Sequence, residues 1–249
     1  MWGVQGAVAV ALLFTAVRAV RRTRRTGRVR VEDALYFGFF TCFWLDPLTN
    51  YWELGYVVNR YALNVTTWGP YFPGWNSPDS SSQAVTIFAA GGLAWGLGPV
   101  WILIPWAIVR RLTENRPHWG MYRVLVVALL GSALAELILE APWALTGTYR
   151  WRVGGSWDLF AGHWYHVPLF EIALASIVFS VPVVMLLYRA QRKETEVWPL
   201  RGSSSTGLRL LAASGFTQAL TVVYLFSLSV AVAFSPVHVP ADTPPYLLP

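Results

Sequence analysis

The sequence predicts an all-α, polytopic transmembrane helix bundle, and three observations carry that expectation. Apolar residues make up 55% of the 249 and charged ones only 13%, too greasy a balance for a water-soluble domain or a disordered chain. Six stretches approach the ~20 apolar residues needed to cross about 30 Å of hydrocarbon: 2–20, 34–54, 84–109, 122–143, 167–188 and 210–234. The net charge of +6 comes from arginine clusters flanking those stretches, a pattern that writes membrane orientation and not nucleic-acid binding. The chain is therefore read as one integral membrane domain, residues 1–249, with a catalytic core over 34–188.

The first stretch has no basic segment before it and is followed by Arg21, Arg22, Arg24 and Arg25, so it reads as a retained anchor and not a cleaved signal. With that run placed in the cytoplasm and six crossings alternating, sixteen of the nineteen Lys and Arg fall on the cytoplasmic side. Arg60, Arg150 and Arg152 alone fall outside. This assigns a multi-pass membrane protein with its N-terminus outside, and the eighteen arginines against one lysine, with abundant Ala, Val and Leu, suggest a bacterial chain whose membrane would be the cytoplasmic one. The long outer segments, about 55–83 and 146–166, are rich in Trp, Tyr, Gly and Pro, whereas the polar run RGSSSTG at 201–207 is a plain linker.

The second stretch cannot be one regular helix. Pro47 lacks an amide hydrogen and drives Asp46 out of helical geometry, so the helix is expected to break there, with Asp46 capping a second half that continues through Trp52 and Glu53. Broken helices survive at membrane depth only where protein or water satisfies the freed backbone, which predicts a cavity at this level. A seventh crossing is possible if the two halves count separately.

Of the thirteen carboxylates, eight fall in loops or the tail, Glu194 and Glu196 among them. Asp46, Glu53, Glu136, Glu140 and Glu171 lie within or beside apolar segments. At 1.5 Å of rise per residue, Asp46 stands about 18 Å above the inner end of its helix and Glu136 about 21 Å above Tyr122, and Glu171 lies about 6 Å below an outer end. Three helices thus bring acids to one level, and Glu136 and Glu140, four apart, share a helix face. Carboxylates in a dry site are costly when ionised, so one that keeps its proton becomes a general acid and an ionised neighbour a base. The alternative is that these acids pair with Arg60, Arg150 or Arg152.

Aromatic residues crowd the same depth. Trp106, Trp119 and Trp198 suit the inner interface as anchors. Trp44, Trp52, Phe72, Trp75 and Trp143 are the candidate substrate-binding faces, since aromatic rings stabilise cations by ~0.5 to 2 kcal/mol each. Cys42 is the lone cysteine, and His163 and His166 lack a second ligand-bearing segment, so no metal site and no cofactor are assigned. No phosphate-cradling glycine loop is present, and Lys193 in a loop rules out a retinal Schiff base.

The motifs DPLTNYW at 46–52 and WGPYFPGWNSPD at 68–79, with the Glu-bearing fourth and fifth helices, resemble the AveC-like (avermectin spirocyclase-like) family over about 34–188. That resemblance implies a bacterial membrane enzyme of secondary metabolism that closes rings on a lipophilic intermediate, a spiroketal in the namesake. The chain also looks like the small membrane-bound terpene cyclases, which protonate an alkene or epoxide. The favoured reading is a cyclase in which a carboxylic acid starts ring closure of a polyene or prenylated terpenoid and aromatic faces hold the cation. Spiroketal closure of a polyketide is the runner-up, and a small proton-coupled transporter or channel is a third reading. The expected partners are a lipophilic small molecule and membrane lipids, with no nucleic acid.

Overall fold

A computed structural model describes residues 1–89, 91–193 and 205–248. Glu194, Glu196, Trp198, Arg201 and the first part of the 201–207 linker lie outside them. The described residues are all-α apart from two short ribbons, and among them five helical segments are long and apolar enough to cross a membrane. These are α1 (Trp2–Thr26), α3 (Pro99–Asn115) with the 3-10 turns before it, α4 (Met121–Leu145), α5 (Leu169–Lys193) and α6 (Thr206–Ala233).

The expected second crossing, 34–54, is not a single spanning helix. Helix α2 (Val31–Phe40) stops before the proline, and a 3-10 helix, Phe43–Asn50, carries Asp46 and Pro47 in its interior. The break thus comes at Thr41–Cys42, whose amides bond back to Phe37, Gly38 and Phe39 carbonyls in tightened turns. Pro47 removes one amide bond here as it would in an α-helix, and the 3-10 run, a short connector, ends at Asn50 with no second α-helical half following. Trp52 and Glu53 accordingly lie in the turn leading to β1 (Tyr56–Val58). The third expected crossing also begins later than residue 84: β3 (Ala84–Thr86) and a 3-10 helix, Gly92–Leu97, precede α3.

Helix packing uses the short side chains that a bilayer rewards, since close backbone approach replaces the hydrophobic drive available in water. Gly38 of α2 lies so near α6 that a Cβ there would meet Thr217 Oγ1 at 2.7 Å and the Ala213 carbonyl oxygen at 2.9 Å. Between α4 and α5, Ser180 donates to Ser132 at 2.6 Å. Helix α1 docks by Gln5, Val8, Leu12 and Ala19, and Tyr36 of α2 donates to the Leu12 carbonyl at 2.9 Å. Val10, Leu13 and Phe14 stay exposed on its outer face. It ends at Gly27, whose φ of +67° permits the left-handed cap that bonds back to Thr23.

Two antiparallel ribbons close the end of the bundle away from the arginine clusters. β1 pairs with β4 (Tyr149–Trp151), setting Tyr56 opposite Trp151 and Val57 opposite Arg150, and β2 (Asn64–Thr66) pairs with β3. The two-residue period of a strand turns Tyr149 and Trp151 to one face and Arg150 to the other. Over the Arg150 face runs the C-terminal tail, which receives the Arg152 and Pro236 links (His238 N–H to Arg152 O at 2.6 Å, Gly154 N–H to Pro236 O at 3.3 Å). Arg150, 1% exposed, pins that tail by donating to the Leu247 carbonyl at 3.1 Å and the His238 carbonyl at 3.5 Å.

Candidate functional site

A cavity of about 80 Å³ sits where the 3-10 helix, α3 to α6 and the β1–β4 ribbon meet. Four of the acids singled out in the sequence, Asp46, Glu136, Glu140 and Glu171, line it together with Trp143. Asp46, Glu136 and Glu171 are only 2%, 3% and 2% exposed. The i, i+4 spacing on α4 stacks Glu136 and Glu140 on one face. Glu171 comes from the first turn of α5, opened by Pro168, to which its own amide bonds at 3.1 Å.

Each carboxylate is met by aromatic donors and not by cations. Asp46 accepts from Trp95 Nε1 and from the Tyr56 hydroxyl, both at 3.1 Å. Trp101 donates to Glu136, Tyr149 to Glu140, and Tyr224 to Glu171. Trp151 Nε1 adds a second bond to Glu140 Oε1 at 3.2 Å. Among the described residues, Glu171 Oε2 is buried without a partner, no Lys or Arg lines the cavity, and Arg60, Arg150 and Arg152 form no ion pair with these acids, so pairing with arginine does not account for them.

Glu136, Glu140 and Glu171 each offer an oxygen within 4.8 Å of the others. Three carboxylates so close, in a chamber without a fixed cation, cannot all be ionised unless a counter-charge joins them. Protons shared among them meet that need, and a divalent cation bound by the same three oxygens would meet it too. The absence of a metal site expected from the lone cysteine and the histidine spacing therefore does not extend to these glutamates.

The aromatic walls form a connected set: Trp101 stacks on Phe179 at 5.7 Å between ring centroids, Trp95 lies 5.9 Å from Trp101, and Tyr224 lies 5.4 Å from Phe179. Gly91 presses against Asp46 so closely that a Cβ there would overlap the carboxylate.

The structure places the other sequence candidates elsewhere. Glu53 turns back on its own segment, its Oε1 accepting the Leu54 amide at 3.1 Å. Trp44 stacks on Phe72 at 5.9 Å, Trp52 packs on Phe226 at 4.9 Å, and Trp75 Nε1 donates to Ser80 Oγ at 2.9 Å. His163 and His166 do not reach Glu171. His166 contacts the His163 and Val153 carbonyls at 2.8 and 3.3 Å, and His163 meets Asp242 at 3.3 Å. Tyr56, Trp95, Trp101, Tyr149 and Tyr224, which hold the acids, were not singled out in the sequence. The alternation Tyr149–Trp151 and the single Tyr224 in an aliphatic helix were the signals available.

Helices of membrane-crossing length around a buried carboxylate chamber define a polytopic membrane protein with an internal site. The family model described as Spirocyclase AveC-like matches residues 24–244, most of the chain, and the protein belongs to that family. No curated protein and no solved structure matches it. Family membership points to a cyclase of secondary metabolism.

Proposed function

We propose that the protein is a membrane cyclase that closes a spiroketal on a lipophilic keto-diol by general acid–base catalysis. The observation that carries this is the convergence of Glu136, Glu140 and Glu171 within 4.8 Å of one another in a chamber walled by aromatic rings and, among the described residues, free of lysine and arginine. Family membership favours the spiroketal over the polyene that the aromatic residues at the depth of the acids had favoured.

In this reading Glu171, with one oxygen uncommitted, is the acid, and Glu140, which accepts from both Tyr149 and Trp151, is the base. Glu171 protonates the ketone oxygen as one substrate hydroxyl attacks the carbonyl carbon and yields its proton to Glu140, giving a hemiketal. Proton return to the acid resets the pair. Protonation of the hemiketal hydroxyl then expels water and leaves an oxocarbenium ion facing the rings of Trp101 and Trp151. The second hydroxyl adds to that carbon and gives its proton to the carboxylate, so the net change is keto-diol to spiroketal plus water. Asp46, held by Trp95 and Tyr56, fixes the opposite wall.

The test is product formation by membranes supplied with synthetic keto-diols, read by mass spectrometry. Glu171→Gln and Glu140→Gln are expected to lower the rate by about 10²- to 10⁴-fold, the usual worth of a positioned acid or base, while remaining monodisperse in detergent. Unchanged rates in both variants would sink the proposal. Loss of 18 mass units marks the spiroketal route, whereas conversion of a polyene without mass change would establish the second reading, which the aromatic lining favours. Exhaustive chelation separates the two ways of neutralising the glutamates: activity persists if protons do so, and disappears until a divalent cation is restored if a metal does.

A further inference from the structure

At the arginine-rich end of the bundle, α1 stands away from α3 and leaves a groove of about 900 Å³. Its wall is apolar along Leu97, Val100, Leu103 and Trp106, and at its mouth stand Arg18, Arg22, Arg110 and Arg111. An adjoining depression, sharing Arg18 and Arg22, adds Arg21, Arg25 and Arg30.

The acids of this region are already matched. Arg22 binds Glu32 at 2.8 Å and also Asp33, Arg30 stands 3.9 Å from Glu32, and Arg110 binds Glu114 at 3.0 Å, three cations for three carboxylates. Arg18 and Arg111, one on each wall, have no ion pair and no side-chain hydrogen bond among the described residues, and both are exposed. The groove therefore offers a long apolar trough ending in uncompensated positive charge, at the depth where an α-helix leaves the bilayer.

We propose that this groove is a binding site for one anionic phospholipid, its phosphate between Arg18 and Arg111 and its acyl chains along Val100, Leu103 and Trp106, so that the lipid completes the contact between α1 and the bundle. The charge selects the headgroup: each basic residue near a membrane surface favours anionic lipid by ~1 kcal/mol, and guanidinium pairs well with phosphate oxygens. A zwitterionic headgroup carries its own cation and gains less.

The experiment uses the full-length protein in nanodiscs of phosphatidylcholine with one-tenth phosphatidylglycerol, released into detergent and weighed by native mass spectrometry. The wild type is expected to retain one phosphatidylglycerol in preference to phosphatidylcholine, and excess inorganic phosphate is expected not to displace it. The Arg18→Gln/Arg111→Gln double variant should lose the preference by about thirtyfold. Ala107→Phe, at an exposed position on the groove wall, should expel the lipid while keeping every arginine. Equal retention of both lipids, or an undiminished phosphatidylglycerol adduct in the double variant, would overturn the proposal. So would a delipidated dimer dispersed by Ala107→Phe, since a second copy would then fill the groove. None of the substituted residues lines the carboxylate chamber, so failure here leaves the cyclase reading intact.

Discussion

Gly91 and Asp46 show how much the chamber depends on single atoms. The absence of a Cβ at Gly91 is what lets Asp46 lie against the turn before α3 while Trp95 and Tyr56 donate to it. Gly92, at a φ of +55°, makes that turn possible. Gly91→Ala must displace the carboxylate or the turn, and a shift of about 1 Å at a catalytic wall costs up to ~10² in rate. The expectation is a folded protein with that loss of product formation, matched by Asp46→Asn. Full activity in both would remove Asp46 from the machinery. At this scale the sequence was informative about acids and uninformative about their partners. An acid in an apolar run announces itself by its solvation cost, as Glu136, Glu140 and Glu171 did. A tyrosine or tryptophan in the same run is indistinguishable from an interface anchor until its hydroxyl or indole is seen to donate.

The β1–β4 ribbon and the tail that covers it act as a unit. Burial, and after it the neighbouring Arg152 charge, hold the Arg150 guanidinium down at about 10, well below the ordinary arginine range. The folded state thus disfavours this charge. The unfolded chain binds more protons than the folded one from there up to the ordinary range, so stability from this group rises as pH rises through about 10. Thermal unfolding in detergent is expected to show the wild type gaining on Arg150→Gln from pH 9 to 11. A difference that stays flat would mean that the buried charge costs the fold nothing. In the same variant the tail loses its donors to the Leu247 and His238 carbonyls, and residues 234–248 should become the first site of proteolytic cutting. Element boundaries were legible where an apolar run was long and unbroken, as in α4, α5 and α6. They were misjudged where short-range turn geometry decides: a proline inside a 3-10 helix looks, in sequence, like the joint between two α-helices.

Across the whole molecule, the arginine distribution predicts that the ribbon-bearing end faces outward and the arginine-rich end inward. Cys42 is buried, so the wild type provides a quiet background for thiol labelling. In intact cells a membrane-impermeant maleimide should modify Ser81→Cys, and should reach His118→Cys only after the membrane is opened. Reversal of that order would invert the assigned orientation. The class of fold could be read from composition because a bilayer restricts the choices so severely. The number of crossings could not, because a segment of mixed helix type satisfies the same apolar count as a spanning helix.

The chamber draws its wall from residues as far apart in the chain as Asp46 and Tyr224, and the hydroxyl on Glu171 comes from α6. A chain cut ahead of α6 would lack that hydroxyl and the Leu225 and Leu228 wall, so the chamber is completed only when α6 has packed against the helices that carry the glutamates.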